Sequence, residues 1–258
     1  MNVVPKKELG QHFLVDPNIL RVIERLSHLE PADVVLEIGP GAGALTRFLC
    51  ERVAHVHAVE VDRSLEPSLR DIPRTTLHWR DALTLDARPP AALGLDPGPN
   101  KLVANLPYNI ATPFVVESVD RLPAITDWCV MVQREVADRF FATPGTKAYG
   151  AVSVLLQLAT ARTGFHAVSR EVFRPRPNVD SALIAFRRTE PGIPPHVKQL
   201  VEASFAHRRK TLANSVAIAG LVPREQAADA LAAIRRGPNT RAEELVPSDF
   251  LSLAAALA

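Results

Sequence analysis

Apolar residues recur along this chain in two alternating rhythms, and the alternation itself predicts a fold. Asp16 followed by Pro17 marks a helix start, with a carboxylate at the N-cap and proline at the first helical position. Ile19, Leu20, Val22, Ile23 and Leu26 then form one apolar face at helical spacing. Val34-Val35-Leu36-Glu37-Ile38 is instead a continuous β-branched run, expected to be a buried strand, and it leads straight into glycines. The rhythms keep trading places. Helices are expected at 44–53, about 63–71, about 112–121, 134–142 and 148–161. Strands are expected at 55–61, 75–79, 101–105 and 128–133, with an exposed Pro-, Gly- and Asp-rich loop over 86–100. Residues 1–15 show no periodicity.

Strands alternating with helices predict an α/β fold, a parallel sheet covered on both faces. The end of the pattern differs. Gly164–Val168 and Ala182–Arg187 are separated by a proline-rich connector with no room for a helical crossover, so an antiparallel edge pair is expected. Thr189 to Pro195 is a linker, and beyond it only helical patterns occur, at about 196–206, 210–219, 224–235 and 248–257. Two domains are expected: a Rossmann-like domain over 1–188 and a small all-helical domain over 189–258.

Composition narrows the class without choosing a function. The chain has 258 residues, 47% hydrophobic and 22% charged, which suits a globular protein with a real core. Its formal charge of +2 excludes a polycationic coat, so any nucleic-acid surface must come from local clustering. Cys50 and Cys129 lie in apolar runs without metal or redox spacing, so buried thiols are expected and no metal. No apolar run approaches the ~20 residues of a membrane span. The N-terminus, with Lys6, Lys7 and Glu8, has no apolar run behind it of the kind a signal peptide needs. A cytoplasmic protein is expected.

The chemistry is written at the strand ends. Glu37-Ile38-Gly39-Pro40-Gly41-Ala42-Gly43 lies between strand and helix, where glycines allow a tight turn and close ligand approach. Its G-x-G-x-G spacing differs from the dinucleotide fingerprint. Glu37 would repel a pyrophosphate and suits the cationic amino end of an amino-acid-like ligand. Glu60, at the end of the next strand, is placed to accept ribose hydroxyls, and Asp81, after the third, to accept from an adenine amino group. One such feature per successive strand end describes S-adenosylmethionine better than NAD. The fourth strand ends in Asn105-Leu106-Pro107-Tyr108. There the amide oxygen and the carbonyl at or before the proline can accept from one amino group, while Tyr108 lies flat on the ring that carries it.

With these motifs stand Leu9-Gly10-Gln11-His12-Phe13-Leu14, Asn109-Ile110 after Tyr108, the segment from Phe173 through Pro175 and Pro177 to Val179-Asp180-Ser181-Ala182, and Phe205 through Arg208-Arg209-Lys210-Thr211-Leu212 to Asn214-Ser215. Together, and over essentially the whole chain, they resemble the KsgA family, the ribosomal RNA adenine N6,N6-dimethyltransferases. The resemblance implies a class I S-adenosylmethionine-dependent methyltransferase that dimethylates two adjacent adenosines near the 3′ end of small-subunit (16S) ribosomal RNA during subunit assembly. By position, His12 and Leu14 would close over the cofactor, Gly39 and Gly41 line its methionine portion, Glu60 hold the ribose, Asp81 the adenine, and Asn105 touch cofactor and target alike. Asn105 and Pro107 would hold the target amine, with Tyr108 on one face of the base and Phe173 on the other. The family more often has Asn in place of His12, a change that a backbone contact would survive. Arg208, Arg209 and Lys210, expected to open a helix, would meet RNA phosphates. Arg170, Arg174, Arg176, Arg187 and Arg188 crowd the strands beside the target pocket. A monomer acting on the assembling subunit is expected, with no membrane partner.

Overall fold

A computed structural model describes residues 5–6, 11–86 and 88–257 of the chain. Lys7 and Glu8, and Leu9 and Gly10 of the first motif, lie outside the described residues. In chain order the elements are β1 (Phe13–Leu14), α1 (Pro17–Ser27), β2 (Val34–Ile38), α2 (Ala44–Cys50), β3 (His55–Glu60), α3 (Glu66–Leu69) and β4 (Thr75–Trp79). Then follow β5 (Lys101–Asn105), α4 (Ala111–Arg121), β6 (Asp127–Gln133), α5 (Arg134–Phe140), α6 (Ala151–Ala159), β7 (Thr160–Val168), β8 (Phe173–Arg174) and β9 (Ser181–Arg188). The chain ends in α7 (Pro195–Phe205), α8 (Leu212–Ile218), α9 (Arg224–Ala233) and α10 (Pro247–Leu257).

Seven strands form one sheet in the order β4-β3-β2-β5-β6-β9-β7. The first five run parallel, whereas β9 is antiparallel to β6, with Gln133 opposite Ser181 and Asp127 opposite Arg187. The mixed α/β sheet with its antiparallel edge is therefore as expected. The apolar runs are central for a physical reason: parallel strands are covered on both faces. Val35, Leu36, Val56, Leu102 and Val130 are fully buried. Asp16 caps α1 as expected, its Oδ1 accepting from Asn18 N at 2.8 Å.

Several boundaries differ from expectation, four of them for a local reason. The 63–71 helix breaks into a 3-10 turn and the single turn of α3, because the Asp62 side chain accepts from Ser64 N and caps early. Residues 207–210 form a turn, and α8 starts only at Leu212, where the Thr211 side chain accepts from Asn214 N. The 148–161 helix starts at Ala151 after the extended Gly150 and ends at Ala159, since Thr160 already belongs to β7. Phe13 and Leu14, from an aperiodic stretch, form β1 by antiparallel pairing with Arg174 and Phe173.

The chain divides into two compact units, one ending at Ala137 and resuming over Ala161–Arg188, the other made of Asp138–Thr160 with the residues after Arg188. The boundary at 188/189 coincides with the linker, but 138–160 departs from the expected division. That segment packs with the C-terminal helices because α6 lies against α7 and α10. Tyr149 Oη donates to Leu245 O at 2.7 Å, and Gly145 N donates to Glu243 O at 2.8 Å.

Candidate active site

In the first unit a cavity of about 260 Å³ opens at the carboxyl ends of β2, β3, β4 and β5, where ligands of open parallel sheets bind. Nine of the ten expected cofactor and target positions line it. His12, Leu14, Gly39, Gly41, Glu60, Asp81, Asn105, Pro107 and Tyr108 all line it. Arg208, Arg209 and Lys210 belong to the other unit, and Phe173 is the exception.

The glycine loop is built for close approach. Gly39 and Gly41 have φ of +70° and +56°, the left-handed region that favours glycine. A Cβ on Gly41 would sit 2.9 Å from the Phe13 ring, and one on Gly39 would sit 3.1 Å from the Pro107 ring. Both glycines thus let the N-terminal strand and the target motif crowd against the loop.

Three acids follow, one per strand end. Glu37 is almost completely buried, and its Oε2 has no hydrogen-bond partner among the described residues. Burial pushes its carboxyl up to about 8; the neighbouring Thr46 hydroxyl opposes the shift and the Glu60 charge adds to it. A buried carboxyl with an unsatisfied oxygen fits a cationic amino group. Glu60 is held by the backbone: Oε1 accepts from Val61 N and Asp62 N, both at 2.9 Å, and Oε2 from Gly41 N at 3.3 Å. Burial raises its pKa against those bonds. Asp81 is exposed and uses Oδ1 to accept from Leu83 N at 2.9 Å, so Oδ2 remains as an acceptor. These residues fit an amino-acid group joined to a nucleoside.

Over the cavity lies the N-terminal segment, and it is fastened at three places. Asp62 accepts from Lys6 Nζ at 2.7 Å and from Gln11 Nε2 at 2.9 Å. Burial works against this carboxylate, but hydrogen bonds from Lys6, Ser64 and Gln11 outweigh it and hold its pKa well below the usual range. β1 pairs with β8, and His12 Nδ1 donates to Pro175 O at 2.8 Å. The His12 carbonyl accepts from Asn105 Nδ2 at 3.2 Å. That contact is made by the backbone, the kind indifferent to whether the residue is His or Asn. With its nitrogen so engaged, Asn105 has Oδ1 as its acceptor.

Two expectations about the target motif need correction. The Pro107 carbonyl already accepts from Ile110 N at 3.2 Å and Ala111 N at 3.1 Å, because it closes the turn into α4. Both lone pairs are in use, and of the two expected alternatives the carbonyl before the proline, that of Leu106, belongs to a residue of the cavity wall. Phe173 has no exposed surface and packs in the core with Leu14, Ile19, Met131 and Leu183. Strand pairing with Leu14 draws its ring inward, so it offers no face to a base. The ring beside Tyr108 is His12, with centroids 5.6 Å apart and planes tilted by 33°.

The arginines also divide by environment. Arg188 is anchored on the carbonyls of Val119, Leu122 and Ile125 and lies over Trp128, 5.0 Å from its ring centroid. Arg187 pairs with Asp127 at 2.7 Å, and Arg176 pairs with Glu171 at 2.7 Å. Arg170 and Arg174 donate to the carbonyls of Asn178 and Glu171. In the second unit Arg208 reaches the carbonyls of Lys147 and Tyr149, while Arg209 and Lys210 are exposed on the turn before α8. The sequence assigned no role to Asp62, Gln11 or Ser181, whose contacts only the structure shows. Asp62 carried a faint signal, since it stands two positions past Glu60 at a strand end.

The chain is similar to known proteins over nearly its whole length. Curated relatives named ribosomal RNA small subunit methyltransferase A include one from Rubrobacter xylanophilus, 47% identical over 96% of this chain and 94% of its own length. Another, from Thermobifida fusca, is 41% identical over 98% and 91%. Among solved structures, a dimethyladenosine transferase from Plasmodium falciparum shares the fold with a TM-score of 0.76 at 23% identity, covering 94% of this chain and 96% of its own. The 23S rRNA methyltransferase ErmE gives a TM-score of 0.65 at 28% identity over 95% and 99%. The family model described as ribosomal RNA adenine dimethylase matches residues 4–258, and the chain, an α/β methyltransferase in its fold, belongs to that family.

Proposed function

We propose that this protein dimethylates the N6 amines of two adjacent adenosines near the 3′ end of 16S ribosomal RNA, on assembling small subunits in the cytoplasm and with S-adenosylmethionine as donor. The observation that carries the reading is the convergence of Asn105, Leu106 and Tyr108 on the wall of the cavity that the glycine loop and the three acids also line. S-adenosylmethionine, when bound, supplies an electrophilic methyl group on a sulfonium. The chain's residues do the rest. The adenine amine is a poor nucleophile because its lone pair is delocalised into the ring. Asn105 Oδ1 and Leu106 O accept its two N–H bonds, localise the lone pair and stabilise the positive charge that develops on nitrogen. No strong base is needed, because the aminium formed is acidic. Tyr108 stacks on the extruded base. Glu37 receives the donor's ammonium, Glu60 its ribose hydroxyls and Asp81 its adenine. Arg208, Arg209 and Lys210 meet RNA phosphates, which makes binding weaken with salt.

Incubation with labelled S-adenosylmethionine and, separately, unmethylated small subunits, large subunits and naked RNA tests the reading, with the label then mapped to the nucleotide. Label in adjacent adenosines of small-subunit RNA is expected. Label confined to large-subunit RNA would sink the proposal, as would RNA binding without any transfer. Small subunits are favoured as substrate by relatives at 41–47% identity that bear the small-subunit name.

Two further outcomes follow from the site. Tyr108→Ala should reduce transfer about 5- to 150-fold, the loss of ~1–3 kcal/mol of stacking, whereas Tyr108→Phe, which keeps the ring, should lose less. Glu37, neutral below about 8 in the free protein, must ionise to receive an ammonium. Donor affinity should therefore rise from pH 6 to 8 with release of a proton, visible by calorimetry in buffers of different ionisation enthalpy. The stability of the free protein should run the other way. The folded carboxyl holds a proton that the unfolded one has lost, so between pH 4.5 and about 8 stability falls with rising pH, by up to about 1.4 kcal/mol per unit. Glu37→Gln should flatten both curves; an unchanged pH dependence would remove Glu37 from this role.

A further inference from the structure

We propose that Ser181 is a positioning residue: its hydroxyl sets the plane of the Tyr108 ring and, through it, the place of the target amine. This rests on the reading of Tyr108 as the stacking platform. Tyr108 sits on a turn, residues 108–110, whose backbone leaves a side chain free to rotate about two bonds. Its far end is nevertheless fixed. Tyr108 Oη lies 2.7 Å from Ser181 Oγ, across 73 residues of sequence. Ser181 is 1% exposed and opens β9 opposite Gln133 of β6, in a strand flanked by β6 and β7, so the anchor is rigid. The His12 ring restrains the same aromatic from the side.

Because Phe173 is buried, the base has no Phe173 face to align against, and the Tyr108 plane becomes its reference surface. A near-attack arrangement of amine and methyl tolerates little error in that plane. Burial raises the Tyr108 phenol's pKa, with the Ser181 bond lowering and the Asp180 charge raising it, so the phenol keeps its proton and the bond persists at neutral pH.

Ser181→Ala should lower kcat about three- to tenfold, the equivalent of one hydrogen bond of ~1 kcal/mol, with RNA and donor affinities little changed. Tyr108→Phe leaves the buried strand untouched and should reproduce that loss by itself, and the double variant should be no worse than either single one. A residue that merely supports the strand would give losses that add. A second readout is independent of activity. The chain has only two tyrosines, Tyr108 and Tyr149, so fluorotyrosine labelling gives two assignable ¹⁹F signals. Ser181→Ala should shift and narrow the Tyr108 signal and leave that of Tyr149 in place. Additive losses, or an unmoved Tyr108 signal, would overturn the positioning role. Wild-type activity in Ser181→Ala with Tyr108→Ala impaired removes Ser181 alone, whereas an unimpaired Tyr108→Ala removes the platform as well.

Discussion

Asn105→Ala is expected to lower kcat by about 10²–10³-fold, the usual cost of removing one preorganised group from a developing charge, while RNA binding is kept. The size follows from what the side chain does. Its amide nitrogen is committed to the His12 carbonyl at 3.2 Å, which fixes the orientation and leaves Oδ1 as the acceptor proposed for the target amine. Alanine removes the acceptor and the tie to the N-terminal segment together. Water can replace neither, because an acceptor that must reorganise during reaction gives up most of its advantage. Rapid-quench methyl transfer on small subunits, paired with filter binding of RNA, separates the two quantities. Full transfer in the variant would refute the role of Asn105. An equal loss of binding and transfer would show that the change acts on the surrounding structure.

Lys101→Met should cost about 3–5 kcal/mol of stability, as expected when one partner of a buried ion pair is removed. Lys101 Nζ lies 2.8 Å from Asp33 Oδ2, with both side chains buried. It also donates to the carbonyls of Ser27 and His28, the C-terminal end of α1 where His28 adopts a left-handed φ of 47°. Asp33 keeps Asn100 Nδ2 and Glu30 N as donors, each within 2.8 Å, but would lose its counter-charge. Methionine replaces the stem's apolar contacts but leaves the carboxylate without its counter-charge and both helix carbonyls without the Lys101 donor. Denaturant unfolding should show a lower midpoint. Lys101 stands at the opposite end of β5 from Asn105, so transfer at low temperature should survive in the folded fraction. A midpoint like that of the wild type would mean that the pair offsets only its own desolvation.

Much of this site was legible before any coordinates. Glu37, Gly39, Gly41, Glu60, Asp81 and Asn105 lie at the ends of successive strands, and a parallel sheet with right-handed crossovers must bring such ends to one edge. Element existence was equally open to reading, because burial on both faces demands continuous apolar runs and helices demand their own period. Less was visible where short-range preferences compete. Thr211 and Asp62 cap with their side chains and move helix starts by residues that periodicity cannot place.

What the sequence by itself determined, then, is the order of strands and helices and the gathering of the glycines, the carboxylates and the Asn105–Tyr108 motif at one sheet edge. Local periodicity and strand-end chemistry are written in neighbouring residues. Tertiary structure alone decided which of those groups is available. It committed the Pro107 carbonyl to the start of α4 and left that of Leu106, turned Phe173 into the core, tied Asn105 to His12, and set Ser181 under Tyr108. It also gave 138–160 to the helical unit. The physical reason is the same in each case. A hydrogen bond or a buried face belongs to a pair of groups, and here the partners of Asn105 and Tyr108 stand 93 and 73 residues away.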